Sequence, residues 1–174
     1  MRRGTALLLL LLTACTDGPR PADVGPPPRR EQAWSVELST APTLLALDGD
    51  DVWGASFGNG VGGSGVYRVD RRTGRRVAQR TLAGQPNGLV VAPDGALWLS
   101  TVRLPDQPGG TGLQVLDPDD LRTVRAVTVP EDPLGLAVVD GSVWVASASG
   151  LREVRDGRTG PRVATPRPAL RLLP

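Results

Sequence analysis

Three stretches of this chain repeat one pattern at a spacing of 45 or 46 residues, and that spacing restricts the fold more than any other feature. Asp-Gly pairs at 48–49, 94–95 and 140–141 recur every 46 residues, and Trp53, Trp98 and Trp144 follow them at steps of 45 and 46. The first segment runs from Ala41-Pro42 through Leu47-Asp48-Gly49 and Val52-Trp53-Gly54-Ala55-Ser56 to Gly65-Val66-Tyr67-Arg68-Val69-Asp70. The second runs from Gln85-Pro86-Asn87-Gly88 through Asp94-Gly95 and Leu97-Trp98-Leu99-Ser100 to Gly112-Leu113-Gln114-Val115-Leu116-Asp117. The third runs from Pro133-Leu134-Gly135-Leu136 through Asp140-Gly141 and Val143-Trp144-Val145-Ala146-Ser147 to Gly150-Leu151-Arg152-Glu153-Val154. A repeat of this length is one supersecondary unit that buries its apolar surface against copies of itself.

Each unit reads as four short strands. Asp-Gly between two apolar runs is a strong hairpin signal. The first two strands are apolar on both faces, which requires both faces to be covered. The third alternates, with Val66, Arg68 and Asp70 expected outward against Tyr67 and Val69. A second turn, Arg72-Thr73-Gly74-Arg75 in the first unit, leads to the fourth strand. No segment shows a 3.6-residue apolar period, so the helices of an α/β fold have no source. The expected fold is all-β: β-propeller-type repeats in about three four-stranded antiparallel blades (41–82, 85–129 and 132–165), plus one N-terminal strand over 33–38. Closed propellers need roughly four to eight blades, so the ring is incomplete. No polar cap is legible at either end of the array, although stacked repeats usually carry one. Three readings stay open: a truncated or frame-disrupted propeller, self-association of two half-rings into six blades, or a compact three-sheet variant whose ends are covered by loops.

The repeated Pro-x-Gly-Leu, Asp-Gly and Val/Leu-Trp elements resemble the blades of NHL/YVTN-type propellers, a group that includes streptogramin B lyase and gluconolactonase/regucalcin-like proteins. The resemblance covers about residues 34–165 and implies fold rather than function, since one fold hosts many activities.

The N-terminus carries an address. Met1-Arg2-Arg3 is followed by an apolar run over residues 6–12, far short of the roughly 20 residues a membrane-spanning helix needs. Leu12-Thr13-Ala14-Cys15 resembles the lipobox of bacterial lipoprotein signal peptides. That resemblance implies removal of residues 1–14, acylation of Cys15 with palmitate-type chains, and anchorage to membrane lipid on the extracytoplasmic side of a bacterial cell envelope. Two or three acyl chains suffice for stable attachment. Cys15 is the sole cysteine, so no internal disulfide forms. Residues 15–32, with five prolines, read as an extended spacer, and 166–174 as an irregular tail. Of the 20 basic residues, Arg2 and Arg3 leave with the signal peptide, and 18 remain against 18 acidic ones. A neutral domain offers nothing to a nucleic acid.

Enzymatic readings find little material. The chain contains no His, which removes the base that resemblance to streptogramin B lyase would require and excludes Ser-His nucleophilic catalysis. Pro86-Asn87-Gly88 resembles the motif supplying a metal-ligand Asn in gluconolactonase-like enzymes, but the positions where that family carries carboxylates hold Thr43 and Leu134. One neutral amide does not hold a divalent cation, so Asn87 is read as a remnant that bonds the backbone at a strand start. No catalytic residue, metal or cofactor is assigned. Glu37, Glu131 and Glu153 form no carboxylate pair, the three Trp residues read as packing between blades, and Arg68, Arg71, Arg72, Arg75, Arg76 and Arg80 as a solvated hairpin edge. In propellers the loops entering each blade and those joining its second and third strands share one face, which points to Asn59, Asn87, Arg103, Asp106 and Asp132 as a candidate ligand face. The expected function is a non-catalytic binding or interaction module for an unknown protein or small molecule. The alternatives are a degenerate gluconolactonase-like or streptogramin-lyase-like enzyme, or a fragment of a larger propeller.

Overall fold

A computed structural model describes residues 34–38, 40–58, 63–103 and 110–165. The signal peptide and spacer readings, Cys15, Asn59, Asp106 and the tail over 166–174 lie outside these residues. The described chain forms twelve strands in three antiparallel sheets of four. The first holds β1 (Leu44–Asp48), β2 (Asp51–Ser56), β3 (Gly65–Asp70) and β4 (Arg76–Thr81). The second holds β5 (Gln85–Val91), β6 (Leu97–Val102), β7 (Gly112–Leu116) and β8 (Thr123–Val127). The third holds β9 (Gly135–Val139), β10 (Ser142–Ser147), β11 (Gly150–Arg155) and β12 (Arg158–Val163). Every sheet is a meander in sequence order. All three Asp-Gly pairs lie at hairpin turns, but only the third is a two-residue Asp-Gly loop, where Asp140 (φ 48°) and Gly141 (φ 79°) both take the left-handed conformation that matches strand twist. The first loop is Gly49-Asp50, and the second is longer, with Ala92 bonded to Ala96.

The sheets stack as propeller blades do, their first strands innermost, with β5 against β1 and β9 against β5. Registers equate the three units residue by residue, since Trp53 faces Ala46, Trp98 faces Val90 and Trp144 faces Ala137. Side chains alternate along each strand, so each sheet sends one row forward and one row back. Trp53, Ala55 and Val66 point forward from the first sheet and meet Leu89, Leu99, Leu116 and Leu121 of the second. Trp98 and Val115 point forward from the second and meet Leu136, Val143, Val145 and Val154 of the third. Val66 and Tyr67 are both buried, because β3 is covered on both faces; the expected outward face for Val66 is corrected accordingly.

Trp53 and Trp98 are 3% and 5% exposed between sheets, but Trp144 is only half-buried. It points forward from the last sheet, where no further described sheet follows. The expectation of three equivalent indoles between blades therefore holds for two. An arginine lies over each enclosed ring: the guanidinium of Arg68 is 5.3 Å from the Trp53 centroid and that of Arg125 is 5.2 Å from Trp98. Cation–π contacts of this kind contribute about 0.5–2 kcal/mol according to how dry they are.

The back face of the first sheet is closed differently. Residues 34–38, expected as a strand, pair with none of the three sheets. They lie extended across Val52, Gly54, Tyr67 and Val69, with Trp34, Val36 and Leu38 inward and Ser35 and Glu37 outward. The Trp34 Nε1–H donates to the Arg71 carbonyl at 2.7 Å, which holds the strap to the β3–β4 turn rather than to a strand edge. The cap missing from the sequence reading is this apolar strap, invisible as a cap because it carries no polar signature.

Candidate functional site

The starts of β1, β5 and β9 and the ends of β2, β6 and β10 share one end of their sheets, because adjacent strands are antiparallel. One repeated arrangement closes this end. It uses the residue two before the leading proline, the last hydroxyl-bearing residue of the second strand, and the third residue of the third strand. In the first unit these are Thr40, Ser56 and Tyr67, whose hydroxyls are mutually bonded and buried; Thr40 Oγ1 lies 2.9 Å from the Tyr67 hydroxyl. In the second they are Gly84, Thr101 and Gln114, with Gln114 Nε2 donating to Thr101 Oγ1 at 3.4 Å and Thr101 Oγ1 donating to the Gly110 carbonyl at 3.1 Å.

In the third unit the same places hold Glu131, Ser147 and Arg152, joined by Ser149. Both serine hydroxyls donate to Glu131 Oε2, while Arg152 Nη2 lies 3.6 Å from Oε1. These donors, the Ser147 bond first, then Ser149 and Arg152, outweigh burial and hold the Glu131 carboxyl below its ordinary value. A carboxylate already ionised and saturated with donors is a weak base. Nothing local in the sequence joins Glu131 to Ser147, Ser149 and Arg152. The signal was available in the repeat register, which aligns Glu131 with Thr40 and Arg152 with Tyr67.

Among the proposed ligand-face residues, Asn87, Arg103 and Asp132 lie at this end of the sheets. Arg103 and Asp132 are exposed, and the Arg103 backbone N–H donates to Thr111 Oγ1 at 3.1 Å. Asn87 sits at an irregularity in the β5–β6 ladder, where the register slips between Pro86 and Gly88. A bulge of this kind re-aims one side chain. Here it turns the Asn87 amide to the start of the third unit, where Nδ2 donates to the Pro133 carbonyl at 3.1 Å. Gly88 completes the arrangement, since a Cβ there would meet Leu136 N at 2.7 Å and Ser100 Oγ at 2.8 Å. The Pro-Asn-Gly triplet thus brings β9 close to β5. Asn87 also borders a groove of about 420 Å³ along the inner strands β1, β5 and β9. No group of three His, Cys, Asp or Glu side chains converges among the described residues.

The arginine-rich hairpin is only partly a solvated edge, and that expectation is corrected for two of its members. Arg68 holds Asp51 through two contacts of 2.8 Å and reaches across to the second sheet, to Asp119 Oδ1 at 3.2 Å and the Pro118 carbonyl at 3.1 Å. Arg80 Nη1 donates to the Leu121 carbonyl at 2.7 Å and to Thr123 Oγ1 at 2.9 Å. Both tie the first sheet to the β7–β8 turn. Arg71, Arg72, Arg75 and Arg76 are exposed.

No protein-family model and no curated protein matches this sequence. Solved structures do match in fold. A gluconolactonase from Xanthomonas campestris aligns with a TM-score of 0.59 at 22% identity, over 75% of this chain and 49% of its own. A putative gluconolactonase aligns with a TM-score of 0.57 at 22% identity, over 75% of this chain and 50% of its own. Hydrazine synthase from Kuenenia stuttgartiensis aligns with a TM-score of 0.62 at 18% identity, over 82% of this chain and 41% of its own. The chain thus spans about half the length of the gluconolactonase structures it matches. The likeness shows the fold, a partial β-propeller, with three four-stranded blades among the described residues.

Proposed function

We propose that this chain is a lipid-anchored binding module on the extracytoplasmic side of a bacterial envelope, held to membrane lipid through Cys15 and without catalytic activity of its own. The use made of its polar groups supports this reading. The Asn87 amide is spent on Pro133, Glu131 on two serines and an arginine, and Thr43 and Leu134 stand where gluconolactonase-like enzymes carry metal-binding carboxylates. What remains accessible is the inner groove and the loop face around Arg103 and Asp132, a surface suited to holding a protein segment or small molecule. Asn59 and Asp106 belong to the same proposed face.

The anchor is tested by labelling cells with a palmitate analogue: label on the full chain, abolished by Cys15→Ser together with membrane retention, is expected. Label persisting in the variant overturns the anchor. Catalysis is tested by calcium titration with thermal melting and a gluconolactone hydrolysis assay. A flat melting temperature and no turnover are expected, whereas a calcium-dependent rise accompanied by turnover overturns the non-catalytic reading.

A further inference from the structure

We propose that a second copy of this chain docks head to tail on the Trp144 face, and that two copies making this joint twice close a six-bladed ring. The chain builds the same joint twice within itself. In each, a forward-pointing tryptophan is covered by the inner strand of the next sheet. Leu89 and Leu136 are the covering residues, with Val91 and Val138 packed beside them. The matching residues of the first sheet are Leu45 and Leu47, each 65% exposed. The array therefore ends in the two halves of one joint: a half-buried Trp144 on its last sheet and an uncovered leucine pair on its first.

Charge at the two ends is complementary in the same register. In the first internal joint Arg68, three residues after Gly65, reaches Asp119 in the β7–β8 turn. Glu153 stands three residues after Gly150 and faces Trp144 across the ladder, as Arg68 faces Trp53. The β3–β4 and β7–β8 turns share their backbone bonds, Gly74 N to Asp70 O and Leu121 N to Asp117 O, so Arg72 matches Asp119. A joint between two copies thus sets Glu153 against Arg72, the internal Arg68–Asp119 pair with its charges exchanged. Within one copy Glu153 is engaged by Arg155, 75% exposed, and Arg72 lies open.

The strap competes for this joint. The Arg71 carbonyl, held by Trp34, matches the Pro118 carbonyl that receives Arg68. Trp34 therefore stands in for the side chain of an incoming sheet and leaves when one arrives. A rotation that closes after two copies makes a ring rather than a filament, and six blades lie within the known range.

Light scattering on the full chain carrying Cys15→Ser tests this with a readout that neither lipid nor ligand affects. A concentration-dependent rise to twice the chain mass is expected. Each dimer releases two straps, so Trp34→Ala should lower the midpoint by roughly ten- to a hundredfold, as the loss of two competing contacts each worth one hydrogen bond does. Arg72→Glu and Glu153→Arg each set like charges at both joints and should each give monomers, their folding verified by unchanged strand circular dichroism. An equimolar mixture of these two variants restores opposite charges at both joints and should recover the dimer. A monomeric mass at every concentration, even with Trp34→Ala, assigns the Trp144 face to a blade from elsewhere and overturns the proposal. Association indifferent to both charge reversals, or a mixture no better than its components, overturns it as well.

Discussion

The indole of Trp34 fills the space over Gly74, where a Cβ would come within 2.6 Å of the ring. The matching position in the second sheet holds Leu121, whose side chain is fully buried against the first sheet. One position of the repeat thus solves one problem in two ways. In the second unit the residue fills the joint itself, and in the first it vanishes so that the strap can.

Substitution at this place should act through the strap. Gly74→Ala adds a methyl where the indole lies, at a φ of 68° that costs an L-residue roughly 1–2 kcal/mol. Lower thermal stability and faster proteolytic cleavage near Trp34 are expected. A cleavage rate equal to the wild type would show that the strap does not rest on this glycine.

Leu121 should reverse a familiar ranking. It is buried at a left-handed φ of 63°, so its apolar contacts carry a conformational cost of roughly 1–2 kcal/mol. Leu121→Ala loses the contacts and keeps the cost, for a destabilisation of about 2–5 kcal/mol. Leu121→Gly loses the same contacts and removes the cost, so it should be the milder change by about 1 kcal/mol. Urea denaturation of both variants measures this, and a glycine variant less stable than the alanine one contradicts it.

The three tryptophans of the repeat, Trp53, Trp98 and Trp144, should separate in stability measurements. Trp98→Ala empties a joint between two sheets and should cost about 3–5 kcal/mol, and Trp53→Ala a similar amount. Trp144→Ala should cost the isolated chain distinctly less, because that ring is already partly in water. Equal losses at all three positions, read by denaturant unfolding under monomeric conditions, would mean that the last sheet is covered as fully as the others.

Acid should loosen the third sheet through Glu131. Its pKa is lowered in the folded chain, so its contribution is complete above the ordinary value near 4.5 and drains away as pH falls through the folded value. Glu131→Gln should therefore flatten the fall of melting temperature with acid. Part of that slope should survive in the variant. Asp70 and Asp117 are lowered as well, chiefly by the backbone N–H groups of Thr73 and Asp119, and they titrate in the same direction. An acid slope identical in wild type and variant would sever the link to Glu131.

The sheets were legible in the sequence, and what was not legible around the site has a definite character. The strands, hairpins and sheet order follow from short-range signals: alternation, Asp-Gly turns and a fixed period. Asn87, expected at a strand start, is the third residue of β5. That Pro-Asn-Gly forms a bulge aiming the amide at Pro133 depends on a neighbouring sheet whose approach is measured in tenths of an ångström. Likewise Arg68 and Arg80 looked like members of a charged hairpin, but each also reaches across to the β7–β8 turn, 41 to 51 residues away.

The order of apolar and turn residues was enough to determine three antiparallel four-stranded units, because hairpin closure and strand alternation involve only near neighbours along the chain. Tertiary structure decided how the ends of the stack are treated: Trp34 swings back onto Gly74, Leu45 and Leu47 stay uncovered, and Trp144 faces forward with no described sheet beyond it. Those outcomes depend on which surfaces meet across sheets. Equivalent residues in a repeat share a local environment but differ in what lies next to them, and only packing supplies that difference.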